Sequence, residues 1–285
     1  MKKGLIKKVV ATALLGIMTM GFVGCGASDN TSAAGDKKET KDLLETIQEK
    51  GKVVVGMSAD YAPYEFHYID ENGKDVIGGF DVDIANEIAN AIGVELVIQE
   101  MDFDALVAAL PAGKVDLVIS GMNATEERAK VVDFSEVYYN SQHGILVRAE
   151  DVDKYQTFDD LEGAKVGAQL GSTQEQIART EIPNADLQLL NNVNNLILEL
   201  KAGKVDAVIM EKPVAEMAVQ SNPELAVGTP VYEDKSGGSA VGIAKNNPEL
   251  LSKINEVIKD LKESGKIDEY IVKANELAGN VDIVE

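Results

Sequence analysis

The stretch AGKVDLVISGMNATEERAKVVDFS, residues 112–135, decides the reading of this chain. Val115, Leu117 and Ile119 alternate with Asp116 and Val118 in a short apolar run, which reads as a buried strand of an α/β sheet. The strand ends at Ser120 and Gly121. A turn of small and polar residues follows, Gly121, Asn123 and Thr125, then two acids that favour a helix N-terminus, then Arg128. Ligands of open α/β sheets sit off the carboxyl ends of strands, which puts this turn where a ligand would be held. Backbone N–H groups beside a guanidinium suit a carboxylate gripped bidentately. The competing reading makes Arg128 a solvated helix residue paired with Glu126 or Glu127.

The first half of the stretch recurs 90 residues later. Phe103, Leu106, Val107 and Leu110, then AGKVD and Val118-Ile119, are answered by Val193, Leu196, Ile197 and Leu200, then AGKVD and Val208-Ile209. Each block reads as an amphipathic helix, a glycine stop and a buried strand. Two copies at this distance point to two similar α/β lobes rather than a solenoid. The second strand ends in Met210-Glu211 where the first ends in Ser120-Gly121. Facing lobes would then offer Arg128 and donors from one side and a carboxylate from the other, the complement of a zwitterion.

At 285 residues the chain is long enough for two cores. Residues 1–24 read as a secretory signal: Lys2, Lys3, Lys7 and Lys8 precede an apolar run too short and wrongly flanked to span a membrane. Removing them moves the formal charge from −21 to −25, a surface that repels nucleic acid and anionic head groups. The single cysteine, Cys25, leaves no internal disulfide possible. Residues 25–41 are small, polar and aperiodic and are expected to be a disordered tether.

From Asp42 onward, helical and strand patterns alternate. A short helix around Leu43, Leu44 and Ile47 stops at Gly51, and Val53-Val54-Val55 is the first buried strand, opening into the aromatic loop ADYAPYEF. Gly78-Gly79-Phe80 leads to a helix capped by Asp81 and ended at Gly93, followed by a strand through Val94, Leu96 and Ile98. Leu170-Gly171-Ser172-Thr173-Gln174 is a second donor-rich turn at a helix start, read either as ligand contacts or as plain capping. A glycine-rich return at 234–239 precedes a strand at 240–244 and two closing helices. These late elements are expected to rejoin the first lobe. The expected division is residues 42–145 with 238–285 for lobe 1 and residues 146–237 for lobe 2.

The pattern GxxxTxxRxxxxDFSxxYY from Gly121 to Tyr139, with ADYAPYEF, GGFDVDIANEIA, MDFDALVAAL, QLGSTQE and VDAVIMEKP in order, resembles the extracytoplasmic amino-acid-binding proteins of ABC importers. The resemblance covers the chain from about Asp42 onward. It implies a two-lobed, two-strand-hinged periplasmic-binding fold of type II that closes over its ligand. By position, Arg128 would bind the ligand α-carboxylate, helped by Thr173 and by donors at Gly121 and Asn123, and Glu211 would receive the α-ammonium group. Tyr61 and Phe103 would sandwich the side chain; the alternative is that both are plain core residues. Gln169, with Gln174 nearby, falls where the family varies with ligand. Two departures bear on specificity. Ser58 stands where several members carry an Asp that reads a polar or cationic side chain, which counts against a basic ligand unless an acid elsewhere, such as Asp60, substitutes, and Glu211 stands where Asp is usual. The implied ligand is a polar L-amino acid, with arginine or lysine next and cystine further back. Cys25 after Phe22-Val23-Gly24 resembles a bacterial lipobox, which implies lipidation and anchoring on the outer face of the cytoplasmic membrane; Phe22 departs from the usual Leu. The implied partners are a permease with its ATPase subunits, and the protein itself a monomer without cofactor or metal. An enzyme like cyclohexadienyl dehydratase, on a similar fold with a catalytic acid in the cleft, is the alternative. It finds little support, since His67 and His143 stand beside no plausible nucleophile and Glu211 is the one cleft acid the sequence places.

Overall fold

The computed structural model describes residues 41–140, 142–233 and 235–280. The expected signal at 1–24, the expected lipidation at Cys25 and the expected tether up to residue 40 lie outside the described residues. The chain opens with α1 (Leu43–Lys50), whose N-terminus is capped by the Asp42 side chain accepting from the Leu44 N–H. Next come β1 (Lys52–Met57), β2 (Asp60–Tyr61), β3 (Glu65–Ile69), β4 (Asp75–Gly78), α2 (Phe80–Ile92), β5 (Glu95–Glu100), α3 (Phe103–Ala109) and β6 (Leu117–Val118). After β7 (Val132–Tyr139) follow β8 (Gln142–Arg148), β9 (Lys165–Gln169), α4 (Thr173–Glu181), β10 (Asp186–Leu190), α5 (Val193–Lys201), β11 (Ala207–Glu211), α6 (Lys212–Ser221) and β12 (Leu225–Glu233). The chain closes with β13 (Ser239–Ala244), α7 (Pro248–Glu263) and α8 (Lys266–Asn280).

Two five-stranded sheets carry two α/β lobes. The first has the order β5-β1-β6-β13-β7 and the second β10-β9-β11-β8-β12. In each, a central strand runs parallel to one neighbour and antiparallel to the other: β6 lies between β1 and β13, and β11 lies between β9 and β8. The late strand β13 pairs with β6 and β7 in the first sheet. The first crossing comes earlier than expected. β8 starts at Gln142 and pairs wholly within the second sheet, so a division between 145 and 146 would cut that strand. Hydrogen-bonding partners, which sequence periodicity does not reveal, decide to which sheet a strand belongs.

Three local expectations are corrected. The strand at residues 115–119 shortens to β6, although the Asp116 N–H still donates to the Val54 carbonyl at 2.8 Å and the Ile119 N–H to the Gly56 carbonyl at 3.3 Å. Arg128 starts a single 3-10 turn, Arg128–Lys130, rather than sitting in an α-helix. Asp81 does not cap α2. Gly79 holds the cap position at φ +130°, where a Cβ would lie 2.0 Å from the Tyr64 carbonyl oxygen, so only glycine fits. That close approach joins α2 to a small antiparallel sheet, β2-β3-β4, which the sequence reading missed. Tyr64 and Phe80 then pack at a tilt with ring centroids 4.4 Å apart, and Tyr139 closes on both at 5.7 and 5.4 Å.

Candidate ligand-binding cleft between the lobes

The carboxyl ends of β1, β6, β9 and β11 meet where the lobes face each other. Four predicted residues stand at the last strand positions or just beyond them: Ser58, Gly121, Gln169 and Glu211. Both partners proposed for a zwitterion reach across the gap. On the lobe 1 side, Arg128 donates through Nη1 to the Asn123 carbonyl at 2.9 Å and through Nη2 to the Gly171 carbonyl of lobe 2 at 3.0 Å. Its guanidinium lies 5.3 Å from the Phe103 ring centroid, a cation–π arrangement that fixes the plane of the donors. Opposite it, Glu211 is fully buried at the start of α6 and accepts a hydrogen bond from the Tyr64 hydroxyl of lobe 1.

Tyr61 fastens the same seam. Its hydroxyl accepts from Gln174 Nε2 at 2.8 Å and from the Glu211 N–H at 3.2 Å. Burial, and next the charge of Glu211, holds both tyrosine hydroxyls well above their ordinary pKa, so they remain donors throughout the neutral range. Thr173 is the first residue of α4, and its Oγ1 is buried without a hydrogen-bond partner among the described residues. A buried hydroxyl at a helix N-terminus is suited to an anionic oxygen. Gln169 turns aside, donating to the Asn191 carbonyl at 3.0 Å within its own lobe.

Two predicted roles take a different form in the structure. The Gly121 N–H, expected to face the ligand, donates inward to Asp81 Oδ2 at 2.7 Å. That amide is therefore engaged within lobe 1. Asn123 is buried, bridges to Ser239, and supports Arg128 through its carbonyl. Ser58 Oγ donates to Asp60 Oδ1 at 3.0 Å, so the carboxylate absent at position 58 is supplied one hydrogen bond away. Asp60 Oδ2 in turn accepts the N–H of Val193, the first residue of α5 in lobe 2, at 2.6 Å. Burial raises the Asp60 pKa to about 6, against the lowering effect of the Val193 amide and the Ser58 hydroxyl.

A recess of about 480 Å³ opens beside Ser58 and Asp60, and its acidic wall includes Asp75, Glu100 and Asp102. His67 sits within it, Nδ1 2.8 Å from Asp75 and Nε2 3.1 Å from Glu100. The Asn191 amide of lobe 2 closes one side by donating to Asp102 at 2.9 Å. Sequence reasoning missed Tyr64, Glu65 and Asp81 as parts of this region. No local signal marked Glu65 and Asp81 as buried: Val94-Glu95-Leu96 sets an acid between apolar neighbours in the same way, and Glu95 is exposed, because successive strand residues face opposite sides.

Comparison with known proteins agrees with the two-lobed fold. Residues 53–274 match the model of the bacterial extracellular solute-binding proteins, family 3. The arginine-binding extracellular protein ArtP of Bacillus subtilis is 35% identical over 271 residues, which are 94% of this chain and 96% of that protein. The L-cystine-binding protein TcyJ of Escherichia coli is 29% identical over 256 residues, 90% of this chain and 91% of that protein. In three dimensions, the amino acid ABC transporter substrate-binding protein AbpA of Streptococcus pneumoniae, crystallised with L-arginine, superposes with a TM-score of 0.80 at 42% identity, covering 82% of this chain and 98% of its own. Two lobes of equal sheet order, the cleft between their strand ends and the span of the family match lead to one conclusion: this chain belongs to the bacterial extracellular solute-binding proteins, family 3.

Proposed function

We propose that this protein captures a basic L-amino acid, arginine foremost, between its lobes and hands it to the permease of an ABC importer. It is a substrate-binding component of amino-acid transport and not an enzyme. The observation that carries the choice of a basic ligand is the Ser58–Asp60 hydrogen bond beside the acid-walled recess, which restores a carboxylate where the chain has serine. The wall is formed by Asp60, Asp75, Glu100 and Asp102. A cationic side chain lying past Tyr61 would meet negative charge there. A neutral one would add no positive charge to a wall whose one basic neighbour among the described residues is His67, set between Asp75 and Glu100.

At the other end of the ligand, the Arg128 guanidinium and the Thr173 hydroxyl would take the α-carboxylate, displacing the Gly171 carbonyl from Arg128, and Glu211 would take the α-ammonium group. Tyr61 and Phe103 flank the path between the two ends. Thermal-shift measurements against the twenty amino acids and cystine test the reading, since a ligand at about 100 times its dissociation constant adds roughly 2.7 kcal/mol. A shift with arginine and lysine that exceeds the shift with glutamine supports it. A shift with cystine or neutral amino acids alone would move the assignment away from basic ligands.

Membership of an extracellular family implies export, and no helix of the described residues is long and apolar enough to cross a membrane. We further propose that residues 1–24 are removed and Cys25 is lipidated, leaving a monomer tethered to the outer face of the cytoplasmic membrane beside its permease and ATPase subunits. In mass spectrometry the N-terminal peptide should carry the diacylglyceryl group, and Cys25→Ala should release the protein from the membrane fraction. Retention of Cys25→Ala on the membrane would overturn the anchor.

A further inference from the structure

Beneath the Ser120–Gly121 turn two acids are buried together. Glu65 on β3 and Asp81 in the first turn of α2 are both fully inaccessible to solvent. Glu65 Oε1 accepts from the Ser120 hydroxyl, which itself accepts the Ser58 N–H at 3.0 Å. Asp81 Oδ2 accepts from the Gly121 N–H at 2.7 Å and from the Tyr138 hydroxyl at 2.9 Å. The other oxygen of each acid, Glu65 Oε2 and Asp81 Oδ1, is buried and has no donor among the described residues. Glu65 feels Asp81 directly, the charge of Asp81 acting on it next after burial, and no lysine or arginine forms an ion pair with either among the described residues. Two ionised carboxylates cannot be kept in contact in an apolar interior without a cation, and two acceptors cannot bond without a proton between them.

We propose that Glu65 and Asp81 share a single proton, and that the resulting carboxyl–carboxylate pair is a positioning element that sets the Ser120–Gly121 turn for ligand capture. Glu65 carries the proton and donates it towards Asp81 Oδ1. Asp81 is the anion of the pair at neutral pH and orients the Gly121 amide and the Tyr138 hydroxyl. The groups facing the pair are consistent with this division. Asp60 on β2 adds negative charge from one side, and Tyr138 on β7 supplies a neutral hydroxyl. Glu211 of lobe 2 acts on Tyr138 from farther away. Burial, and then the charge of Asp81, holds the Glu65 pKa well above its ordinary value of 4.5, while burial raises Asp81 to about 6. The role in capture rests on the ligand reading above; the shared proton does not.

The sign of the pH effect follows from which state holds the proton. Above about pH 4.5 the unfolded chain has ionised Glu65 while the folded protein keeps it protonated, so the folded state binds more protons. The stability contributed by the pair is therefore largest at or below that pH and falls as pH rises towards the folded-state value. Glu65→Gln mimics the protonated acid: its amide donates to Asp81 and its carbonyl accepts from Ser120. Thermal unfolding of the ligand-free full chain between pH 5 and pH 8 should show the melting temperature of Glu65→Gln falling by less than half as much as that of the wild type. Parallel profiles for the two proteins would overturn the proposal. Infrared spectra of the wild type at pH 7.5 provide a check that survives a variant that fails to fold: a protonated carboxyl band should be present, and its absence would overturn the shared proton. In calorimetry at pH 7, Glu65→Gln should bind the amino acid within about twofold of wild type and Glu65→Leu at least tenfold more weakly. Equal binding by Glu65→Leu would overturn the positioning role. Should the wild type bind no amino acid, the ligand reading fails and the melting and infrared results still decide whether the proton is shared.

Discussion

The two lobes are the same scaffold threaded twice, and position by position they differ where the chemistry changes. Registered through their parallel pairs, Val55↔Leu117 in lobe 1 corresponds to Val166↔Ala207 in lobe 2, and Gly56↔Val118 to Gly167↔Val208. The repeated AGKVD places Asp116 and Asp206 alike: Asp116 accepts the Val54 N–H at 2.9 Å and Asp206 accepts the Lys165 N–H at 3.0 Å. Leu106 and Leu196 also answer each other, each so near a strand glycine that a Cβ on Gly56 or Gly167 would lie 3.0 Å from the leucine. Two residues after the matched valines the likeness stops, with Ser120-Gly121 against Met210-Glu211. Position 121 is a glycine whose amide binds Asp81, and position 211 is a buried acid whose amide binds Tyr61 of the other lobe. The repeat builds two equal frames, and the residues at and after the strand ends, with Arg128 beyond Gly121 in one lobe and Glu211 in the other, set the chemistry apart.

If that division of labour is right, substitutions at strand ends should alter binding and substitutions in the frames should alter stability equally in both lobes. The largest effect is expected for Arg128→Ala, which should cost about 2–5 kcal/mol of affinity while leaving the melting temperature of the free protein nearly unchanged. Calorimetry with arginine reads the first and thermal unfolding the second. Unchanged affinity would mean that the carboxylate is held elsewhere. Glu211→Ala should cost a similar amount in affinity, and a much smaller loss than for Arg128→Ala would break the symmetry of the two ends.

The frame is tested by Gly56→Ala and Gly167→Ala, each expected to destabilise by about 1–3 kcal/mol because the added methyl must push back a packed leucine. Similar losses in urea unfolding would support the equivalence of the frames; a loss in one lobe alone would break it. The smallest effect is expected for Asp116→Ala and Asp206→Ala, about 1 kcal/mol each from one hydrogen bond to a strand amide. Asp206 also lies 3.6 Å from Arg148 and Asp116 3.9 Å from Lys50, so the charge environments are alike as well.

Much of the frame was legible in the residues alone. Gly51 and Gly93 stop their helices in the left-handed conformation, as their places after apolar periods predict. Leu106, Leu196, Leu117 and Val208 are buried, as their periodicity requires. The cleft was less legible. Glu211 sits at its predicted strand end, but nothing in the spacing around Gly121 reveals that its amide turns inward, because a backbone donor looks the same in sequence whichever way it faces. Asp81 looked like a helix cap since Asp is common there, and the fit of Gly79 against Tyr64 overrode that preference.

The sequence by itself determined the twofold α/β pattern, the places where strands end, and the residue types at those ends, because periodicity and helix stops are local properties. Only the tertiary structure decided that β8 belongs to the second sheet, that Asp60 bonds Ser58 and the start of α5, and that Glu65 meets Asp81. Each of these joins residues from different elements, and which donor a buried acceptor finds depends on how those elements pack.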